Sequence, residues 1–151
     1  MKIIEFTTEP AENKAHWLEQ MRRTDWDAGQ YLHWLAENEK LEEAFGADAR
    51  LLLLVNGDTL ASFCTYVEMD EIDDPSMAPW IGFVYTFPEH RGHRYSGMLI
   101  AYAVQLAKAQ GRKQIFVSSE EKGLYEKYGF RFLKNAQSIH DYETQIFVCD
   151  L

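Results

Sequence analysis

Apolar residues recur along the chain with two spacings, and the changes from one to the other mark its elements. Lys2 to Phe6 alternates as a half-buried strand does, and Thr8-Glu9-Pro10 ends it. Two helical segments follow. Trp17, Leu18 and Met21 share one side of the first, and from Asp27 the second repeats Tyr31, Trp34, Leu35, Leu41 and Phe45 at helical spacing until Gly46 stops it. These aromatics read as core positions. Leu51 to Val55 and Leu60 to Val67 flank Asn56-Gly57, a pair that tolerates positive φ and so signals a hairpin of two antiparallel strands. The acidic, turn-rich stretch Glu68 to Pro75 then leads to a strand from Trp80 to Phe87, closed by Pro88.

From Tyr95 to Ala109 almost every residue is apolar, which predicts a helix buried on most sides, with Gly111 as its stop. Gln114 to Val117 reads as a further buried strand. Ser118 and Glu121 have the spacing of a capping box opening a short helix, and Gly129 ends that helix. Phe130 to Leu133 and Ile139 to Val148 are the final strands. No internal repeat or low-complexity tract interrupts the order β-αα-βββ-α-β-α-ββ. That order predicts a mixed α/β, or α+β, domain spanning residues 1–151. A length of 151 residues suits one compact unit.

Formal net charge is −9, from 24 acidic residues against 15 Lys and Arg. A nucleic-acid partner, which needs a basic face, is therefore not expected, and a cationic small molecule is the easier ligand; the same charge also serves solubility. The longest aliphatic run, Leu51 to Val55, is far short of the roughly 20 residues of a membrane helix. With no secretory pattern at Met1 to Glu5, a cytoplasmic protein without a membrane partner is expected. Cys64 and Cys149 lie in apolar surroundings that suit free buried thiols, and neither has the spacing of a metal site, so no metal is expected.

Chemistry concentrates in Glu89-His90-Arg91-Gly92-His93-Arg94-Tyr95-Ser96-Gly97-Met98-Leu99. A strand running into a loop and then a buried helix offers free backbone N–H groups where the helix dipole also favours an anion. Phosphate fits such a place. Gly92 and Gly97 let a ligand approach closely, and Arg91 and Arg94 add positive charge. The pattern is neither the dinucleotide fingerprint nor the Walker P-loop. Taken alone it also reads as a basic helix start.

Pro88-Glu89-His90-Arg91-Gly92-His93-Arg94-Tyr95-Ser96, followed by a long apolar helix, and later Leu124-Tyr125-Glu126-Lys127-Tyr128-Gly129-Phe130, together resemble the GNAT superfamily of acyl-CoA-dependent N-acyltransferases. The resemblance implies a three-layer fold: a twisted, mixed, largely antiparallel sheet of about six or seven strands, with helices on both faces. It implies that Arg91, Gly92, His93, Arg94, Tyr95, Ser96 and Gly97 bind the pyrophosphate of acetyl-CoA, a cosubstrate. Val84, Tyr85 and Thr86 would pair through their backbone with its pantetheine arm, and one N–H there would steady an oxyanion. Tyr125 would be the catalytic acid that protonates the leaving thiolate. Arg94 and Ser96 stand where the family prefers small residues. An ordinary residue in a helical conformation still supplies its N–H, and the Arg94 side chain is expected to point outward.

The expected function is acetyl transfer from acetyl-CoA to a primary amine of a small molecule or peptide by direct attack in a ternary complex. Glu68, Asp70, Glu71 and His140 are the candidate bases, beside a chain of waters. Polyamine, aminoglycoside, amino acid and protein N-terminus all remain as acceptors, and a homodimer is compatible with the family. The alternatives are a non-catalytic acyl-CoA-binding regulatory domain of the same fold and an interaction module that uses the aromatic N-terminal helices.

Overall fold

The structure, a computed structural model, describes residues 1–151. Its strands are β1 (Lys2–Glu5), β2 (Arg50–Asn56), β3 (Thr59–Val67), β4 (Trp80–Thr86), β5 (Gln114–Ser119), β6 (Arg131–Gln137) and β7 (Glu143–Asp150). They form one seven-stranded sheet in the order β1-β2-β3-β4-β5-β7-β6, antiparallel except where β4 meets β5. The helices are α1 (Ala11–Met21), α2 (Asp27–Glu37), α3 (Leu41–Phe45) and α4 (Tyr95–Ala109). This is the mixed, largely antiparallel sheet expected from the sequence.

Covering both faces explains the unbroken leucines of β2. Leu51, Leu53 and Val55 enter the core under α1, α2 and α3, while Leu52 and Leu54 enter the core under α4. Strand β3 divides likewise, with Phe63 and Val67 on one side and Cys64 and Tyr66 on the other.

Several boundaries differ from the sequence reading, each for a local reason. The helix expected from Asp27 to Gly46 breaks after Glu37. Asn38 turns its side-chain amide onto the Trp34 carbonyl at 2.8 Å, and Glu39 takes a left-handed φ of 56° before α3 begins. Tyr31 and Trp34 are 49% and 50% exposed, while Leu35 is buried as expected and shares the core side of α2 with Leu32 and Ala36. Helix α4 buries one face only, with Met98, Ala101, Gln105 and Lys108 exposed. Ser118 caps no helix; it stays in β5 and its hydroxyl pairs with that of Thr144 across the sheet at 3.0 Å. The short helix is a 3-10 turn, Tyr125–Tyr128. The segment Ile139 to Tyr142, read as strand, is the β6–β7 turn, closed by Ser138 N–H donating to the Tyr142 carbonyl at 2.8 Å.

Candidate active site

Strand β4 creates the site by an irregularity. Phe63 pairs with Tyr85 and Thr65 with Gly82, so β4 spends one more residue than β3 between these two pairs. The surplus lies at Phe83, whose φ of 51° is a left-handed conformation that a bulky side chain adopts only under constraint. Beyond it the sheet opens. The parallel partner β5 pairs with β4 only at Trp80–Phe116 and Ile81–Val117, and the two strands then part. The Tyr85 carbonyl accepts the Ser62 hydroxyl and Phe87 N–H bonds Ala61, both on the β3 side. By alternation the backbone groups of Val84 and Thr86 face the gap.

A cleft of about 1170 Å³ fills this gap. Val84, Tyr85, Arg91 and Tyr125 line it, so four of the residues singled out in the sequence converge there. Thr86 and the segment Gly92 to Gly97 are not on its wall; they follow β4 into the start of α4. Tyr125 is brought to the cleft by the 3-10 turn, with Phe130 and Phe147 packed about 6 Å from its ring. It is 4% exposed, and burial raises its phenol pKa above the usual range, with Cys64, Glu121 and Asp70 adding to the effect.

The opposite wall is aromatic. Trp26 stacks on Tyr85 at 5.7 Å, and Phe83 packs against both Trp26 and Phe45. The Tyr85 hydroxyl donates to Asp25 at 2.9 Å. Arg91 lies over the Tyr85 ring, and its Nε donates to the Thr86 carbonyl at 2.9 Å. Its guanidinium therefore rests on the free edge of β4. Charge around the cleft is lopsided: Asp25, Asp27, Asp70, Glu71, Glu120 and Glu121 against Arg91 and Lys122.

Among the candidate bases, Asp70, Glu71 and His140 line the cleft, and Glu68 instead pairs with Arg112. Glu71 accepts from the Tyr142 hydroxyl. Asp70 differs from the others. Its Oδ1 is shut off from solvent with no hydrogen-bond partner, and burial, aided by the adjacent Glu71 carboxylate, pushes its pKa up to about 7. No sequence signal marked it out from its acidic neighbours, because the feature that isolates it lies twelve residues on, at Gly82.

The loop after β4 leaves backbone donors free. The first amide of α4 with a backbone partner is that of Met98, which reaches the Arg94 carbonyl at 3.4 Å, so those of Tyr95, Ser96 and Gly97 have no partner in the helix. Gly92 has a φ of 88°, with nothing within 4 Å of where a β-carbon would stand. His93 stacks on Tyr95 at 5.3 Å. The second glycine has a different reason to be there. A β-carbon on Gly97 would fall 2.6 Å from the Tyr128 ring, so the two sequence motifs touch at this point.

Arg94 departs from the helical conformation expected of it. It precedes α4 at φ 59°, ψ 32°, the left-handed region, with its side chain exposed. That conformation costs a residue with a β-carbon roughly 1–2 kcal/mol. Arg94→Gly is expected to remove this cost, offset in part by the greater chain entropy that glycine loses on folding, and to raise the melting midpoint by about 2–4 °C. Calorimetry checks the sign, since a lower midpoint would mean that the arginine side chain stabilises the loop.

Comparison with known proteins bears on the family and the fold. The chain matches the family described as Acetyltransferase (GNAT) family over residues 9–130. No curated protein matches it by sequence. Among solved structures it is similar to an aminoglycoside 6'-acetyltransferase type Ii, with 14% identity, a TM-score of 0.72, and coverage of 99% of this chain and 97% of that one. An aminoglycoside 6'-N-acetyltransferase complexed with coenzyme A gives 14%, 0.68, 99% and 97%. A GNAT family acetyltransferase from Elizabethkingia anophelis with acetyl-CoA bound gives 13%, 0.66, 99% and 97%. At such identities these likenesses speak for the fold, and it is the match over most of the chain's length that places the protein in the GNAT acetyltransferase family.

Proposed function

We propose that the protein is an acetyl-CoA-dependent N-acetyltransferase whose acceptor is a primary amine on a cationic molecule. The observation that carries this reading is the opening of the sheet beyond Ile81–Val117, which exposes the β4 edge beside Tyr125 and faces it with six carboxylates. In this reading Val84 and Thr86 offer backbone groups to the pantetheine arm, and Arg91 gives up the Thr86 carbonyl when the arm pairs there. The cradle fits a pyrophosphate: unpartnered amides from Tyr95 to Gly97, open space at Gly92, and Arg94 and His93 at its rim.

Acetyl-CoA supplies the activated carbonyl. The amine nitrogen forms a bond to that carbon, a backbone N–H near the Phe83 bulge holds the oxygen as charge develops, and the carbon–sulfur bond breaks. Tyr125 donates its proton to the departing sulfur. No cysteine serves as an intermediate acyl carrier: burial pushes the Cys64 thiol up to about 12, and Cys149 does not line the cleft. The aromatic wall of Trp26, Phe83 and Tyr85 suits the apolar body of the acceptor, and the surrounding acids suit its charge.

Thiol release from acetyl-CoA, measured with spermidine, kanamycin, lysine and a peptide with a free N-terminus, tests the proposal. Release that depends on at least one cationic amine is expected. Coenzyme A binding without release for any amine would instead support a non-catalytic acyl-CoA-binding domain.

A further inference from the structure

Two buried side-chain oxygens beside strand β4 have no hydrogen-bond partner, Asp70 Oδ1 and Thr65 Oγ1. Unpartnered buried polar atoms are rare because each carries an uncompensated desolvation cost. These two occupy the same notch. A β-carbon at Gly82 would collide with Asp70 Oδ1 and come within 3.0 Å of Thr65 Oγ1, so the notch exists because residue 82 has no side chain. Gly82 is also the last residue of β4 before the bulge at Phe83, and Asp70, Gly82 and Tyr125 all line the cleft.

We propose that Asp70 accepts a proton from the acceptor's ammonium so that the neutral amine can attack, with Thr65 as its polar neighbour and Gly82 as the positioning residue that lets the carboxylate reach the bulge. This assignment rests on the acetyl-transfer reading above and names the base for it. The reaction then balances. The acceptor R–NH3⁺ gives one proton to the Asp70 carboxylate, and the nitrogen lone pair so freed forms the bond to the thioester carbon. The carbon–sulfur bond breaks, and sulfur takes the Tyr125 proton. Nitrogen loses two protons in all. One leaves to solvent by way of Asp70, and the other restores, through solvent, the proton that Tyr125 gave up.

The surroundings suit a base that works near neutrality. No cation bears on Asp70: burial raises its pKa first and the Glu71 carboxylate second, while a backbone hydrogen bond at Glu71 lowers it. Glu71 is itself engaged by the Tyr142 hydroxyl of the β6–β7 turn, and Tyr125, whose phenol stays protonated, is the titratable group from the 3-10 turn. With its pKa at about 7 Asp70 is ionised above that pH, so acceptor turnover should rise with pH through about 7 and then level off.

The test is Asp70→Asn in the full chain, assayed for acceptor-dependent thiol release from pH 5.5 to 9 with the most active amine among spermidine, kanamycin, lysine and the peptide. Expected is a fall of about 100-fold or more at pH 8, loss of the acid limb near pH 7, and unchanged affinity for coenzyme A. A second readout needs no turnover. Because the folded-state pKa lies above that of an ordinary aspartate, the carboxyl's stability contribution is full below the ordinary carboxylate range and is lost as pH rises through about 7. Asp70→Asn should therefore gain stability on the wild type between pH 4 and pH 8. Gly82→Ala, which closes the notch, should lower turnover in the same way. A folded Asp70→Asn with wild-type turnover and the same acid limb overturns the assignment and leaves acetyl transfer standing. A wild type that transfers to none of the amines overturns the acetyl-transfer reading and this assignment with it.

Discussion

Tyr125→Phe is expected to lower turnover at least about tenfold while leaving the fold and acetyl-CoA affinity intact. The substitution keeps a ring that packs near Phe130 and Phe147 and removes only the hydroxyl. Burial holds that phenol above its ordinary pKa, so it stays protonated across the neutral range and is available to a thiolate at any assay pH. The proton is needed only as the carbon–sulfur bond breaks, which places the loss in kcat rather than in binding. Positioned acid catalysis is worth about 10²–10⁴-fold, and tenfold is a conservative floor because water can reach an open cleft. Steady-state kinetics on the purified variant gives the answer. Wild-type turnover would make Tyr125 a packing residue and assign the proton to solvent.

Gly92→Asp is expected to raise the KM for acetyl-CoA by at least about tenfold, the loss of roughly one charge-assisted hydrogen bond, with little change in the KM for the amine. Two effects are combined in this variant and can be separated. Any side chain at a φ of 88° strains the loop, and a carboxylate additionally repels a pyrophosphate. Gly92→Ala carries the first effect alone, in a position with nothing within 4 Å to clash with. The alanine variant should therefore lie between wild type and aspartate, and added salt should narrow the gap between the two variants, as exposed charges are screened. Equal KM values for acetyl-CoA in wild type and Gly92→Asp would remove the Arg91 to Gly97 loop from the cofactor site.

The fold was legible because its strongest signals are local. Asn56-Gly57 between two apolar runs predicts a hairpin, and the structure closes it with Gly57 at φ 60° next to Asp58. The apolar run of Tyr95 to Ala109 predicts α4 to its ends. Helical spacing misled where a polar residue could compete for the backbone: the Asn38 side chain stops α2, although Leu41 and Phe45 continue its phase. It also misled at Tyr31 and Trp34, because periodicity reports a face without reporting what covers it.

The site was legible only in part. Arg91, Val84, Tyr85 and Tyr125 meet at one cleft because Val84 and Tyr85 lie in the last residues of β4, Arg91 follows that strand and Tyr125 follows β5, positions that the fold fixes. Three features lay beyond reach. The bulge at Phe83 is a register difference between β3 and β4, visible only once the strands are paired. Tyr128 against Gly97 and Asp70 against Gly82 join residues of different segments, 31 and twelve residues apart, through the absence of a side chain. A glycine inside a helix or strand says only that something comes close, not what.

Amide hydrogen exchange followed residue by residue, with and without coenzyme A, shows whether the β4 edge and the start of α4 hold one ligand between them. The backbone groups of Val84 and Thr86 face the gap, and the amides of Tyr95, Ser96 and Gly97 have no helical partner, so they should exchange readily in the free protein. Saturating coenzyme A is expected to slow exchange at both groups together. Binding that protects neither the β4 edge nor the start of α4 would put the cofactor elsewhere on the protein.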